Sequence, residues 1–79
     1  MFLEITGFLA SGSADSSIKF ELDIAQEYEQ AVMDVLGWES LAAEADGELP
    51  LTSEQVQQIA EAINEQLPTA LDLFIGVRA

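Results

Sequence analysis

The sequence predicts an α+β fold: a three-stranded, mainly antiparallel sheet with two main helices and one short helix packed on one face. Two observations lead to this fold class. Hydrophobic and polar residues alternate near both ends of the chain, as in half-buried strands, and between them hydrophobic residues recur with the helical period. The expected order is strand, strand, helix, short helix, helix, strand, within a single domain of residues 1–79.

Three alternating segments predict the strands. Residues 1–10 and 18–24 form an antiparallel hairpin, because the SGSADSS segment between them is small and turn-prone. Residues 69–77 form the last strand. The strand residues expected to face the helices are Leu3, Ile5, Ile18, Phe20, Leu71 and Leu73.

The first main helix is expected directly after the hairpin. Its apolar residues, from Ile24 to Leu36, fall on one side at helical spacing. Asp23 is placed to cap its N-terminus, and Gly37 is a natural C-terminal stop. A short helix is expected next, from Trp38 to Gly47.

The second main helix has the clearest signals at its ends. Thr52 and Gln55 have the spacing of a capping box, and Leu51 and Val56 are spaced as a hydrophobic staple. Pro68 is expected to end this helix, because proline cannot continue the helical hydrogen bonding.

The charge of the chain is far from balanced. The chain has fifteen Asp and Glu residues but only two basic residues, Lys19 and Arg78, which gives a formal net charge of −13. Solubility requires a net charge of only about 2–8 in a small domain, and like charges at this density destabilise the folded state. The excess indicates a basic protein as partner, and it disfavours direct binding to nucleic acid or to anionic membranes.

The composition argues against catalysis and metal binding. The chain has no cysteine and no histidine, so thiolate chemistry and the commonest general base and metal ligand are excluded. The EADGE segment, residues 44–48, lacks the spacing of a calcium loop. We expect no enzyme activity, no cofactor and no metal site.

Acidic residues on the helices and their connection form the candidate partner-binding surface. On the second main helix three of them fall within a narrow arc opposite the apolar stripe. Duplex DNA carries one negative charge per roughly 1.7 Å of its axis, and such rows of carboxylates imitate part of that array. The candidate residues are Glu27, Asp34, Glu39, Glu44, Asp46, Glu48, Glu54, Glu61 and Glu65.

A second candidate interface lies on the sheet. Alternation places Phe2, Phe8 and Phe74 on the face away from the helices, among acidic residues. Exposed aromatic side chains anchor protein interfaces. We therefore expect either a homodimer at micromolar concentration or contact between this face and the target.

In its size, its acidity and its lack of catalytic motifs, the whole chain resembles the small, phage-encoded anti-CRISPR proteins that imitate DNA. The resemblance implies an inhibitor whose target is a DNA- or PAM-recognising subunit of a bacterial defence complex. Two alternatives remain open from the sequence: an immunity protein that neutralises a basic toxin nuclease, and an acidic structural or adaptor protein.

The sequence also carries an expectation about location. The opening segment, MFLEITGFL, lacks the basic region and the long apolar core of a signal peptide. No apolar segment approaches the roughly 18–20 residues of a membrane span. We therefore expect a soluble protein in the cytoplasm of a bacterial host cell.

Overall fold

The computed structural model describes residues 1–9, 17–40 and 47–78. Its α+β fold confirms the predicted class, but the sheet has four strands in this part of the chain and not three. The elements in chain order are strand β1 (Phe2–Leu9), strand β2 (Phe20–Asp23), a single turn of 3-10 helix (Gln26–Tyr28), helix α1 (Glu29–Leu36), strand β3 (Glu48–Pro50), helix α2 (Ser53–Ile63) and strand β4 (Leu71–Arg78).

The sheet is antiparallel throughout, with strand order β2-β1-β4-β3. The two long strands, β1 and β4, lie in the centre and pair over eight residues, from Phe2 opposite Arg78 to Leu9 opposite Leu71. Strand β2 extends β1 on one side, which confirms the predicted hairpin. Strand β3 adds three residues to the other side of β4.

Strand β3 is an unpredicted fourth strand, and it directly follows the segment in which the sequence predicted a short helix. Gly47 has a φ of 86°, a left-handed conformation that suits glycine, and the chain then runs into the sheet at Glu48. Residues 38–40 are not helical, and residues 41–46 lie outside the described part of the chain. Three residues ending in Pro50 are too few to show an alternating pattern, and proline is tolerated here because β3 is an edge strand.

The core lies between one face of the sheet, here called the inner face, and the two helices. Most strand residues predicted to face the helices are buried or half-buried there, but Ile18 is 47% exposed because it precedes the first paired residue of β2. The buried hydrophobic residues are Leu3, Ile5, Ile24, Val32, Met33, Ile59, Ile63, Leu67, Leu73 and Ile75.

Helix α2 begins as predicted and ends earlier than predicted. The backbone N–H of Gln55 donates to Thr52 Oγ1 at 3.1 Å, and the N–H of Thr52 donates to Gln55 Oε1 at 2.9 Å, which completes the capping box. The helix ends at Ile63, where Asn64 adopts the left-handed conformation with φ of 56°. Asparagine tolerates this conformation, so the stop comes before Pro68.

Helix α1 is shorter than predicted at its N-terminus. Asp23 does not cap it, because Asp23 is the last residue of β2 and pairs with Glu4. The chain passes through the 3-10 turn before α1 starts at Glu29, and no side chain caps the helix. The predicted stop at Gly37 is confirmed by its φ of 74°.

Candidate partner-binding surfaces

The acidic residues of the described chain lie mostly on the surface. Glu4 and Glu29 are half-buried, and the others are exposed: Glu21, Asp23, Glu27, Asp34, Glu39, Glu48, Glu54, Glu61, Glu65 and Asp72. Two further candidates from the sequence, Glu44 and Asp46, lie outside the described residues. Carboxylates therefore cover both the helical side of the protein and the opposite side of the sheet.

The acids of α2 occupy electrostatically different positions. Glu54 lies in the first turn, where the positive end of the helix dipole stabilises a carboxylate. Glu61 lies in the last turn, and Glu65 follows the helix end, where its backbone N–H donates to the carbonyl oxygen of Ala60. No basic residue lies in the last turn of α2. The last turn therefore carries negative charge where the dipole disfavours it.

Helix α1 repeats this arrangement. Asp34 lies in its last turn, which also has no basic residue. The Asp34 carboxylate accepts a hydrogen bond of 2.9 Å from Gln30 Nε2, a neutral donor that adds no positive charge. Glu27 lies in the 3-10 turn before the helix and Glu39 follows its C-terminal end, and both are exposed.

The early end of α2 changes the neighbours of Glu65. Because Glu65 is not on the helix, it does not continue the row of Glu54 and Glu61 as the sequence predicted. Glu61 and Glu65 instead line one shallow depression, and Glu65 also lines a cavity with Asp23 and Tyr28. Asp23, which the sequence did not suggest as a partner-binding residue, thus lines the same cavity as Glu65.

Arg78 neutralises part of the acidic surface on the sheet. Its Nε donates to Glu4 Oε1 at 2.8 Å, and its Nη2 pairs with Glu48. The hydrogen bond to Glu48 raises the pKa of Arg78 above its ordinary value, burial opposes this rise, and the bond to Glu4 adds to it. Glu48, a candidate phosphate mimic in the sequence, is therefore partly neutralised within the fold.

Gly76 makes room for this cation. It lies opposite Glu4 on one side and opposite Glu48 on the other, so both acids flank it. A Cβ atom at Gly76 would lie 2.7 Å from Arg78 Nη1 and 3.1 Å from Glu48 Cγ. The missing side chain lets the guanidinium lie across the strand between the two carboxylates.

The substitution Gly76→Ala is expected to destabilise the protein by about 1–3 kcal/mol, because the added methyl group overpacks this site and displaces Arg78 from its two carboxylates. Urea denaturation of the variant measures the change. In an Arg78→Gln background the same substitution should have a clearly smaller effect. An equal effect in both backgrounds would show that the guanidinium position is not what requires glycine here.

The three phenylalanines share the side of the sheet away from the helices, here called the outer face, as the alternation predicts. The register places Phe2 opposite Arg78, Phe8 opposite Asp72 and Phe74 opposite Thr6. The rings of Phe8 and Phe74 meet edge to face, with centroids 5.7 Å apart and planes at 79°. All three side chains are half-buried, so this face keeps apolar surface in contact with solvent.

Uncompensated charge at this density predicts a salt-dependent stability. Raising sodium chloride from about 0.01 M to 0.1 M shortens the screening length from about 30 Å to 10 Å, which weakens the repulsion among exposed carboxylates. The melting temperature, followed by circular dichroism, should rise over this range. A constant melting temperature would show that the acids are too dispersed to repel one another.

In the part of the chain that the structure describes, no three acidic residues are grouped to hold a metal ion. The described helices are also too short and too polar to cross a bilayer.

Comparisons with family models, curated proteins and solved structures find no match to this chain. The candidate surfaces are therefore interpreted from their own chemistry.

Proposed function

We propose that this protein is an acidic inhibitor that occupies a basic nucleic-acid-binding site on a bacterial defence protein, as a mimic of DNA. The observation that carries this proposal is the position of its charge. Asp34 and Glu61 lie in the last turns of their helices, where a negative charge destabilises the helix by about 0.3–1 kcal/mol, and neither of these turns contains a basic residue. Charge that opposes folding is consistent with a role in binding.

The supply of basic residues supports the same conclusion. Arg78 pairs with Glu4 and Glu48, and the remaining acids of the fifteen share one lysine, Lys19. The chain therefore cannot neutralise its own surface. A groove lined by Lys and Arg would supply the missing cations, and each charge-assisted hydrogen bond formed there contributes about 1.5–3 kcal/mol.

The spacing of the acids fits a partial imitation of the phosphate array. Glu54 and Glu61 are seven residues apart on α2, which corresponds to roughly 10 Å along the helix axis at 1.5 Å per residue. Duplex DNA offers a charge every roughly 1.7 Å of axis, so the protein would present a selected subset of phosphate positions. We assign this role to the exposed helical-side acids Glu27, Asp34, Glu39, Glu54, Glu61 and Glu65, with Glu44 and Asp46 from the connection.

In this proposal the protein carries out no reaction and uses no cofactor or metal. It does not bind nucleic acid itself, because its charge has the same sign as the phosphate backbone. The partner is a basic protein of the bacterial cytoplasm. Association is steered by the opposite charges of the two surfaces, so its rate should fall as salt rises.

Affinity capture with three immobilised baits tests the proposal. The baits are the unaltered protein, the Glu61→Gln/Glu65→Gln variant, and a Thr69→Lys/Ala70→Lys control that changes net charge by the same amount at exposed positions between α2 and β4 and leaves the acids in place. Quantitative mass spectrometry of proteins captured from bacterial lysate should show a DNA-binding defence protein retained by the first and third baits and depleted on the second. Equal capture by all three baits would contradict a specific acidic site.

A further inference from the structure

The outer face of the sheet is covered by neither helix of the described chain, and it differs from an ordinary solvated face. Thr6 lies at its centre and is only 2% exposed, although no helix packs on this side. Its same-face neighbours across the sheet are Phe74 on β4 and Glu21 on β2. Thr6 is thus buried on this face, beside the contact between Phe8 and Phe74.

This surface has an apolar part and an acidic border. The edge-to-face pair of Phe8 and Phe74 forms the apolar part, next to Pro50 of β3. The acids on the same face, identified by the strand register, are Glu4, Glu21, Asp23, Glu48 and Asp72. The aromatic pair lies toward the Leu9–Leu71 end of the central strands, with acids beside it, and protein interfaces combine such apolar contacts with polar surroundings.

The charges on this face identify the kind of partner. Arg78, the cation of β4, is already held by Glu4 and Glu48. The acids Glu21 and Asp72 therefore outnumber the one other cation near this face, Lys19, which directly precedes β2. A second copy of the chain would bring the same acids and a further net charge of −13. Electrostatic repulsion disfavours a second copy as the occupant, whereas a cationic protein surface is complementary in charge to the acids of this face.

We propose that the outer face docks a cationic protein surface that places an apolar side chain against the Phe8–Phe74 pair. This face lies on the opposite side of the sheet from the helical acids, so the proposal does not depend on DNA mimicry. The apolar contact supplies binding free energy that salt does not screen, and the carboxylates supply orientation and specificity.

Two synthetic peptides of equal length and charge test this proposal: one alternates arginine with leucine, and the other alternates arginine with serine. In an extended peptide the leucines all point to one side, as the proposed contact requires. Titration into ¹⁵N-labelled protein should shift the amide signals of Thr6, Phe8 and Phe74 with the leucine peptide. That peptide should also bind at least about tenfold more tightly than the serine peptide, since burying even two methylene-sized groups exceeds a tenfold change.

Matched variants locate the contact without disturbing the core. Glu21→Gln/Asp72→Asn removes two exposed outer-face charges and should lower the affinity for the leucine peptide by about three- to tenfold. Gln57→Lys/Gln66→Lys changes the net charge by the same amount on the helical side, leaves the assigned acids in place, and should change that affinity by less than about twofold. Equal affinity for both peptides, or shifts confined to α1 and α2, would overturn the proposal. Light scattering that shows a dimer formed through this face would overturn it too, by making a second copy the occupant.

Discussion

Replacing Ile75 with alanine is expected to lower the free energy of unfolding by about 2–5 kcal/mol, the range for removing a large aliphatic side chain from a packed core. Ile75 is fully buried at the centre of β4, between Ile5 on β1 and Leu49 on β3. A domain of this size has a total stability of roughly 0.05–0.15 kcal/mol per residue, so this loss takes the protein close to unfolding. Urea denaturation followed by circular dichroism measures the change.

Val77→Ala provides the comparison for this prediction. Val77 lies two residues along the same face of the same strand, but it is only half-buried near the strand end. Its substitution should therefore have a clearly smaller effect. Equal losses at the two positions, or a loss below about 1 kcal/mol at Ile75, would contradict a core centred on β1 and β4, because burial sets the cost of such substitutions.

The sequence predicts the elements whose periodic pattern is long. Strands β1 and β4 each span eight residues of near-regular alternation, and both are predicted close to their observed bounds. The start of α2 is also predictable, because a capping box is a local hydrogen-bonding pattern between Thr52 and Gln55. These features depend on neighbouring residues alone.

The two features that the sequence does not predict, strand β3 and the end of α2, have different causes. Strand β3 forms because β4 offers it an edge, and its three residues have no recognisable pattern of their own. The end of α2 at Ile63 depends on Asn64 taking a left-handed conformation. The sequence instead predicts that Pro68 ends the helix. Pairing with β4 decides the bounds of β3, and the left-handed conformation of Asn64 decides the end of α2.

Charge reversal at Glu61 and Glu65 is expected to separate binding from folding. The Glu61→Lys/Glu65→Lys variant should be as stable as the unaltered protein or more stable by about 0.3–1 kcal/mol, because a cation at the end of a helix interacts favourably with its dipole. Its affinity for the target should fall by about 1–3 kcal/mol for each acid that pairs with a basic residue. Thermal melting and calorimetric titration against the captured target measure the two quantities.

The outcome of this pair of measurements discriminates between roles for the acids. The Thr69→Lys/Ala70→Lys protein adds two positive charges between α2 and β4, leaves Glu61 and Glu65 in place, and should lose much less affinity. A variant that keeps its full affinity would show that Glu61 and Glu65 are only solvated. A variant that loses both affinity and stability would assign them a role in the fold.

Some features of the candidate surfaces can be predicted from the sequence, and others cannot. Exposure of Asp34, Glu54 and Glu61 follows from helical periodicity, so the sequence places these acids correctly on the surface. The partial neutralisation of Glu48 does not follow from the sequence, because its partner Arg78 lies 30 residues away in the chain. The one local signal is Gly76, since a glycine within an alternating strand indicates a site where another group, here the Arg78 side chain, approaches the backbone closely.

The grouping of the three phenylalanines is predicted only in part. Alternation within β1 and β4 predicts that Phe2, Phe8 and Phe74 share a face. The edge-to-face contact of Phe8 with Phe74 depends on the register between the two strands, which a single sequence does not specify.

Competition between this protein and duplex DNA for the captured target tests the central claim most directly. A fluorescently labelled duplex is bound to the target, and the protein is added at constant ionic strength. Full displacement of the duplex is expected. The midpoint should rise with duplex concentration and should shift to higher protein concentration for Glu61→Lys/Glu65→Lys. Simultaneous binding of the duplex and the protein to the target, each with undiminished affinity, would contradict DNA mimicry.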